Sequence, residues 1–148
     1  MITTGKKILL VDDDESLRQM YNLILTKAGY QVTKALDGID GLAKAREGGY
    51  DLILLDLMMP NLDGIGMLKG LLEESPKKPN GPIVVLSNAG YNEVAKEALS
   101  LGVAGFLMKA ELLPKDLIKA VSEHLEKSKP VTKAPEEWKK GRPINKVV

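Results

Sequence analysis

The stretch Ile8-Leu9-Leu10-Val11-Asp12-Asp13-Asp14-Glu15-Ser16 runs four apolar residues straight into four acids. The apolar part does not alternate with polar residues. Strands covered on both faces have that composition, and they belong to parallel sheets flanked by helices. The acids then stand at the carboxyl end of a strand, where open α/β sheets bind ligands. Fold and chemistry both turn on whether the chain repeats this pattern.

It does. Leu52–Leu55 and Ile83–Leu86 are further continuous apolar runs, and Gly105-Phe106-Leu107-Met108 fits a shorter one. Gln31–Ala35 alternates and is more polar, as at a sheet edge. Between these runs the period turns helical. Leu17, Met20, Tyr21, Ile24 and Ala28 share one face, ending near Gly29. Ile39, Leu42, Ala43 and Arg46 share a second, stopped by Gly48-Gly49. Ile65, Leu68, Leu71 and Leu72 make a third, and Val94, Ala95, Ala98 and Leu101 a fourth. Leu117, Ile118, Val121 and Leu125 make a fifth, with Pro114 suited to its first turn. Five strands alternating with five helices predict an α/β fold with a parallel sheet. The segment from Glu74 to Pro82 is turn-forming and reads as a loop.

Bulk properties exclude several classes. The chain has 148 residues, 44% hydrophobic and 28% charged, with a formal charge of +1. That is a globular composition with no overall nucleic-acid footprint. The absence of cysteine excludes a disulfide scaffold and fits a reducing, cytoplasmic setting. No apolar run approaches the roughly 20 residues that span a bilayer. Residues 127–148 differ from the rest: three prolines, no apolar period, and seven basic residues against two acids, a net of +5. With +1 on the whole chain, residues 1–126 carry −4. The expected organisation is a globular body over 1–126 and a basic, flexible tail over 127–148.

Asp56 follows Leu52–Leu55 directly, so two strand ends deliver acids to one rim. If Asp12, Asp13 and Asp56 converge, two charges 4 Å apart repel by about 4 kcal/mol at an effective dielectric near 20. A divalent cation relieves that, and an all-oxygen ligand set favours Mg²⁺, which keeps positions open to a phosphoryl group. The other strand ends supply a hydroxyl, Ser87, and a cation, Lys109. Carboxylate, metal, hydroxyl and ammonium together are what forming an aspartyl phosphate requires.

These residues resemble the receiver domain of two-component response regulators, in the single-domain form of the chemotaxis receiver. The matching pieces are Asp12-Asp13, Leu54–Gly64 around Asp56, Val84–Asn88 with Ser87, and Gly105–Lys109. Each is weak alone; all four in order at strand ends are specific. The resemblance covers residues 6–126. It implies a flavodoxin-like, doubly wound, five-stranded parallel sheet of order 2-1-3-4-5 with helices on both faces. It also implies that Asp56 accepts the phosphoryl group. Asp13 and Asp56 would bind Mg²⁺ directly, Asp12 through water and Met58 through its backbone carbonyl. Ser87 and Lys109 would hold the phosphoryl oxygens. Phe106 stands where the family has its switch aromatic and would turn inward with Ser87, altering the face made by helix 4, strand 5 and helix 5. The implied partners are a sensor histidine kinase or phosphotransfer protein and a downstream protein, with no nucleic acid or membrane for the body.

Two features depart from the family. Lys109 precedes Ala110 where proline is usual, so the loop either holds a non-proline cis bond at about 3–4 kcal/mol or turns differently. Asn88 is larger than the residue common after the hydroxyl.

Rival readings exist. The acids could begin a helix, since Asp and Glu favour the first turn, and Asp14 and Glu15 are expected to do so. The pattern from Ile8 to Leu17 also fits haloacid-dehalogenase-like phosphatases, with Asp12 as nucleophile and Asp14 as acid/base. That reading lacks an acidic pair after the Lys109 strand and leaves the Asp56 segment unexplained. A pseudo-receiver that never takes phosphate is the third reading. His124, the sole histidine, is expected at a solvated or half-buried position, and Trp138 is expected to be incidental.

Overall fold

The computed structural model describes residues 5–88, 92–126 and 146–147. Five parallel strands, β1 (Lys7–Val11), β2 (Gln31–Ala35), β3 (Leu52–Asp56), β4 (Ile83–Ser87) and β5 (Gly105–Met108), stand in the order 2-1-3-4-5. Five helices alternate with them: α1 (Glu15–Lys27), α2 (Gly38–Glu47), α3 (Gly64–Glu73), α4 (Glu93–Ser100) and α5 (Pro114–Glu126). The alternation of runs predicts the parallel α/β sheet, and its doubly wound, flavodoxin-like order is the one the resemblance implies.

The strands sort their side chains with the two-residue period of a pleat. Leu9, Val11, Ile53, Leu55, Val85 and Phe106 face one side, packed by Ala45 of α2, Met67 and Leu68 of α3, and Ala98 and Leu99 of α4. Ile8, Leu10, Leu52, Leu54, Val84, Leu86 and Leu107 face the other, packed by Tyr21 and Leu25 of α1 and Leu117 and Val121 of α5. Every residue of β3 is buried, which is why that strand reads as an unbroken apolar run.

Helix starts follow from local chemistry. Asp14, Asp37, Asp63 and Asn92 each accept a hydrogen bond from the backbone N–H three residues on, capping α1 to α4. α5 opens on Pro114, whose missing N–H costs nothing at a first turn. At Gly64 the α3 start passes so close to β3 that a Cβ would lie 2.8 Å from the Asp56 carbonyl oxygen. The Gly64 N–H donates to Leu57 O at 2.9 Å, closing the Leu57–Asp63 loop beside the strand end.

One feature adds to the expected fold, and one expectation needs correction. The sheet has a sixth strand, β6 (Lys146–Val147), antiparallel to β5, with Gly105 opposite Val147 and Phe106 opposite Lys146. These two residues fall in the segment read as a flexible tail; residues 127–145, with Trp138, lie outside the described residues. An edge strand presents unpaired backbone groups that a further segment can take up, and that preference leaves no mark on apolar periodicity. His124 is buried, 1% exposed, on the inward face of α5 with Leu117, Ala120 and Val121.

Candidate functional site

Strand register assembles the site. Val11 pairs with Leu55, so Asp12 and Asp56 leave the sheet at one level. Asp56 pairs with Leu86 and Ser87 with Met108, which places Ser87 and Lys109 on the same rim. Asp13, Asp14, Leu17, Asp56, Met58, Ser87, Asn88 and Lys109 line one cleft of about 420 Å³ there.

Beneath the cleft, Lys109 bridges two buried acids. Its Nζ lies 2.9 Å from Asp12 Oδ2 and 3.2 Å from Asp56 Oδ2. Asp12 is fully buried and Asp56 is 6% exposed. Asp12 Oδ1 accepts from the Asp14 N–H at 3.0 Å, and Asp56 Oδ1 accepts from the Met58 N–H at 3.3 Å. Burial pushes the Asp56 carboxyl up to about 6; Lys109 pulls it down and Asp12 pushes it up further. Burial by itself would lower the Lys109 pKa, but its contacts with Asp12 and Asp56 outweigh this and raise it. Three carboxylates against one ammonium leave the ionised pocket negative.

That set suits a hard dication. Asp12, Asp13 and Asp56 each offer an oxygen, all within 4.8 Å of one another, with Asp13 exposed at the mouth. Opposite ligands of a Mg²⁺ octahedron stand about 4 Å apart, so the oxygens are close to what the ion needs. Met58 lines the cleft and is 75% exposed.

The remaining site residues fall as follows. Ser87 is half-buried and lines the cleft, with Asn88 exposed beside it. The Lys109–Ala110 bond is trans, and the chain winds into a short 3₁₀ turn over Lys109–Glu111. The loop therefore turns differently, and the ammonium still reaches both acids. Phe106 is 0% exposed and packed in the core beneath α2 to α4, so its ring already occupies an inward position.

Two residues escape a reading of motifs. Arg18, on the first turns of α1, donates from Nη1 to the Asp12 carbonyl at 2.8 Å, pinning the strand-to-helix turn. Tyr21 lies buried with site charges acting on its phenol. Arg18 carries one signal, a cation near the positive end of a helix where an acid is the rule. Tyr21 reads simply as apolar. Asp14 is engaged as the α1 cap through its bond from Leu17 N at 3.0 Å, the bland role expected of it and a poor fit to the phosphatase acid/base.

Comparison with known proteins agrees with this geometry. The profile described as "Response regulator receiver domain" matches residues 8–122. The chain is 38% identical over 106 residues to a chemotaxis protein CheY of Treponema pallidum, covering 70% of this chain and 72% of that one. Among solved structures, a CheY-like receiver domain protein of Methanospirillum hungatei superposes with a TM-score of 0.74 at 28% identity, over 84% of this chain and 97% of that one. A sensor histidine kinase receiver domain of Pseudomonas aeruginosa, solved with a magnesium ion in its active-site cleft, gives 0.73 at 26% identity, over 83% and 99%. The profile spans most of the chain and the phosphatase reading is set aside: the chain belongs to the response regulator receiver domain family.

Proposed function

We propose that this receiver takes a phosphoryl group onto Asp56 from a phosphohistidine of a sensor histidine kinase or phosphotransfer protein. An Asp56 carboxylate oxygen attacks phosphorus, the phosphorus–nitrogen bond breaks, and the freed imidazole takes a proton. Bound Mg²⁺ supplies positive charge that offsets the acids and the incoming phosphoryl oxygens. Asp13, Asp56 and the Met58 carbonyl are its proposed direct ligands, with Asp12 acting through water. The cleft-lining oxygens of Asp13 and Asp56 support that assignment, as does the magnesium in the Pseudomonas receiver's cleft.

The observation that carries the reading is the Lys109 ammonium held between Asp12 and Asp56 on the cleft floor. There it can turn from the acids to a phosphoryl oxygen on Asp56, while the Ser87 hydroxyl donates to another. The chain's own chemistry is then limited to accepting and losing that group, so it serves as a switch and not as an enzyme acting on a separate substrate. Ser87 and Phe106 are the proposed relay to the face made by α4, β5 and α5, where a downstream protein would dock. Among the described residues no helix is long and apolar enough to cross a membrane, and the absence of cysteine supports a cytoplasmic setting. The body over residues 1–126 is proposed to carry the switch and to make no nucleic-acid contact, with the basic segment 127–148 as its extension.

Acetyl phosphate with Mg²⁺, read by intact mass, tests this. Wild type should gain one phosphoryl group and Asp56→Asn none. A stable gain on both proteins would misplace the acceptor.

A further inference from the structure

Asp12 Oδ2 and the Tyr21 hydroxyl are both buried side-chain atoms with no hydrogen-bond partner. Asp12 Oδ2 has the Lys109 ammonium at 2.9 Å as an ion-pair neighbour but no aligned bond. Tyr21 is 1% exposed and belongs to the core cluster that includes Ile8, Leu10 and Leu25. A buried hydroxyl with nothing to bond lowers stability, and phenylalanine would fill the same space without that cost. The hydroxyl therefore calls for an explanation.

Its direction gives one. α1 follows β1, so its N-terminus lies at the rim carrying the site. Long helical side chains lean toward the N-terminus of their helix, which inclines Tyr21 toward that rim on the sheet face of Ile8 and Leu10, the face that the two-residue period continues to Asp12. The charges acting on the phenol are those of the site: Lys109 first, then Asp12, Asp56 and Asp14. Burial, the largest influence, raises its pKa, so the group remains a protonated donor.

The reading of this pocket as a Mg²⁺ and phosphoryl site, on which this inference rests, creates a use for such a donor. When Lys109 turns to the phosphoryl oxygens, the floor-side oxygen of Asp12 loses its cationic neighbour. We propose that Tyr21 is a positioning residue: its hydroxyl donates through one bridging water to Asp12 Oδ2 and keeps that carboxylate oriented toward the cation. A water at that point would have the Tyr21 hydroxyl and Asp12 Oδ2 as polar neighbours, within the two to four that a buried water bonds. The same logic holds where an outer group fixes the orientation of a metal ligand.

The test uses the full chain, with MgCl₂ binding followed by calorimetry and urea unfolding measured at saturating Mg²⁺. Tyr21→Phe should bind Mg²⁺ more weakly, by up to about tenfold, because Asp12 acts on the ion through water. Its unfolding midpoint should fall when Asp12 is present and not in the Asp12→Asn background. An unchanged Mg²⁺ affinity beside a normal wild type would overturn the role of Tyr21 alone. So would an equal midpoint shift in both backgrounds, which marks plain packing. Failure of wild type itself to bind Mg²⁺ would overturn the proposed function first, and this inference with it.

Discussion

The Lys109 ammonium stands 2.9 Å from Asp12 Oδ2, with 6% and 0% of the two side chains exposed. An ion pair this deep is held by mutual need, because either partner alone would be an uncompensated buried charge. Lys109→Met should therefore destabilise the ion-free protein at neutral pH by about 3 kcal/mol, the low end for breaking a buried pair, since Asp56 can take up a proton. Saturating Mg²⁺ should restore part of the loss. Urea unfolding with and without Mg²⁺ measures both, and a loss unaffected by Mg²⁺ would separate Lys109 from the acids.

Asp56 links the site to pH. Its carboxyl titrates near 6 when folded against 3.8 for the ordinary group, chiefly because it is buried. The folded state thus keeps a proton that the unfolded chain releases. The associated stability is fully present below about pH 4 and is lost as pH rises through about 6. Without Mg²⁺, Asp56→Asn should lack this decline and exceed wild type at pH 8 by on the order of 1–3 kcal/mol. Mg²⁺ affinity should rise over the same window as the competing proton leaves. Unfolding midpoints from pH 4.5 to 8 in EDTA decide it: parallel curves for the two proteins would remove Asp56 as the source.

Asp14 separates the receiver from the phosphatase reading. As the α1 cap it accepts from Leu17 N at 3.0 Å. Asp14→Ala should cost about 1 kcal/mol of stability while phosphoryl uptake from acetyl phosphate stays within about twofold. Abolished uptake in a folded Asp14→Ala protein would mean that this carboxylate does chemistry.

Phe106 is a core residue first. Its ring is fully buried, so Phe106→Ala should lower stability by about 3–5 kcal/mol. Phe106→Leu, closer in volume, should cost less than half of that. A small loss for Phe106→Ala in thermal or urea unfolding would mean that the ring spends much of its time outside the core.

Most of this architecture is legible in the residues. β1, β3 and β4 are buried on both faces and so appear as unbroken apolar runs. The acids and hydroxyl that end them, and the Lys109 cation that follows β5, are conspicuous because each interrupts an apolar run. Helix faces are coarser. In α1 the buried residues are Tyr21 and Leu25, while Met20 is 43% exposed; one step along a helix turns a side chain by about 100°, enough to carry Met20 off the inward face. Leu72 and Ile39 likewise keep helical spacing but face outward, at 67% and 58%. The burial of His124 and the hydroxyl of Tyr21 were illegible for another reason: hydropathy ranks a residue type, whereas tertiary packing decides what covers it. The β5–β6 pairing depends on backbone groups that every sequence carries alike.

Residues from separate strand ends meet at one cleft, where Asp56 is the proposed acceptor of phosphorus. Acetyl phosphate with Mg²⁺, followed by borohydride reduction and peptide mapping, tests this most directly, because reduction of an aspartyl phosphate leaves homoserine at the acceptor. Homoserine is expected at position 56 alone, dependent on Mg²⁺. Homoserine at position 12 or 13, or none at 56 in a folded, Mg²⁺-loaded protein, would contradict it.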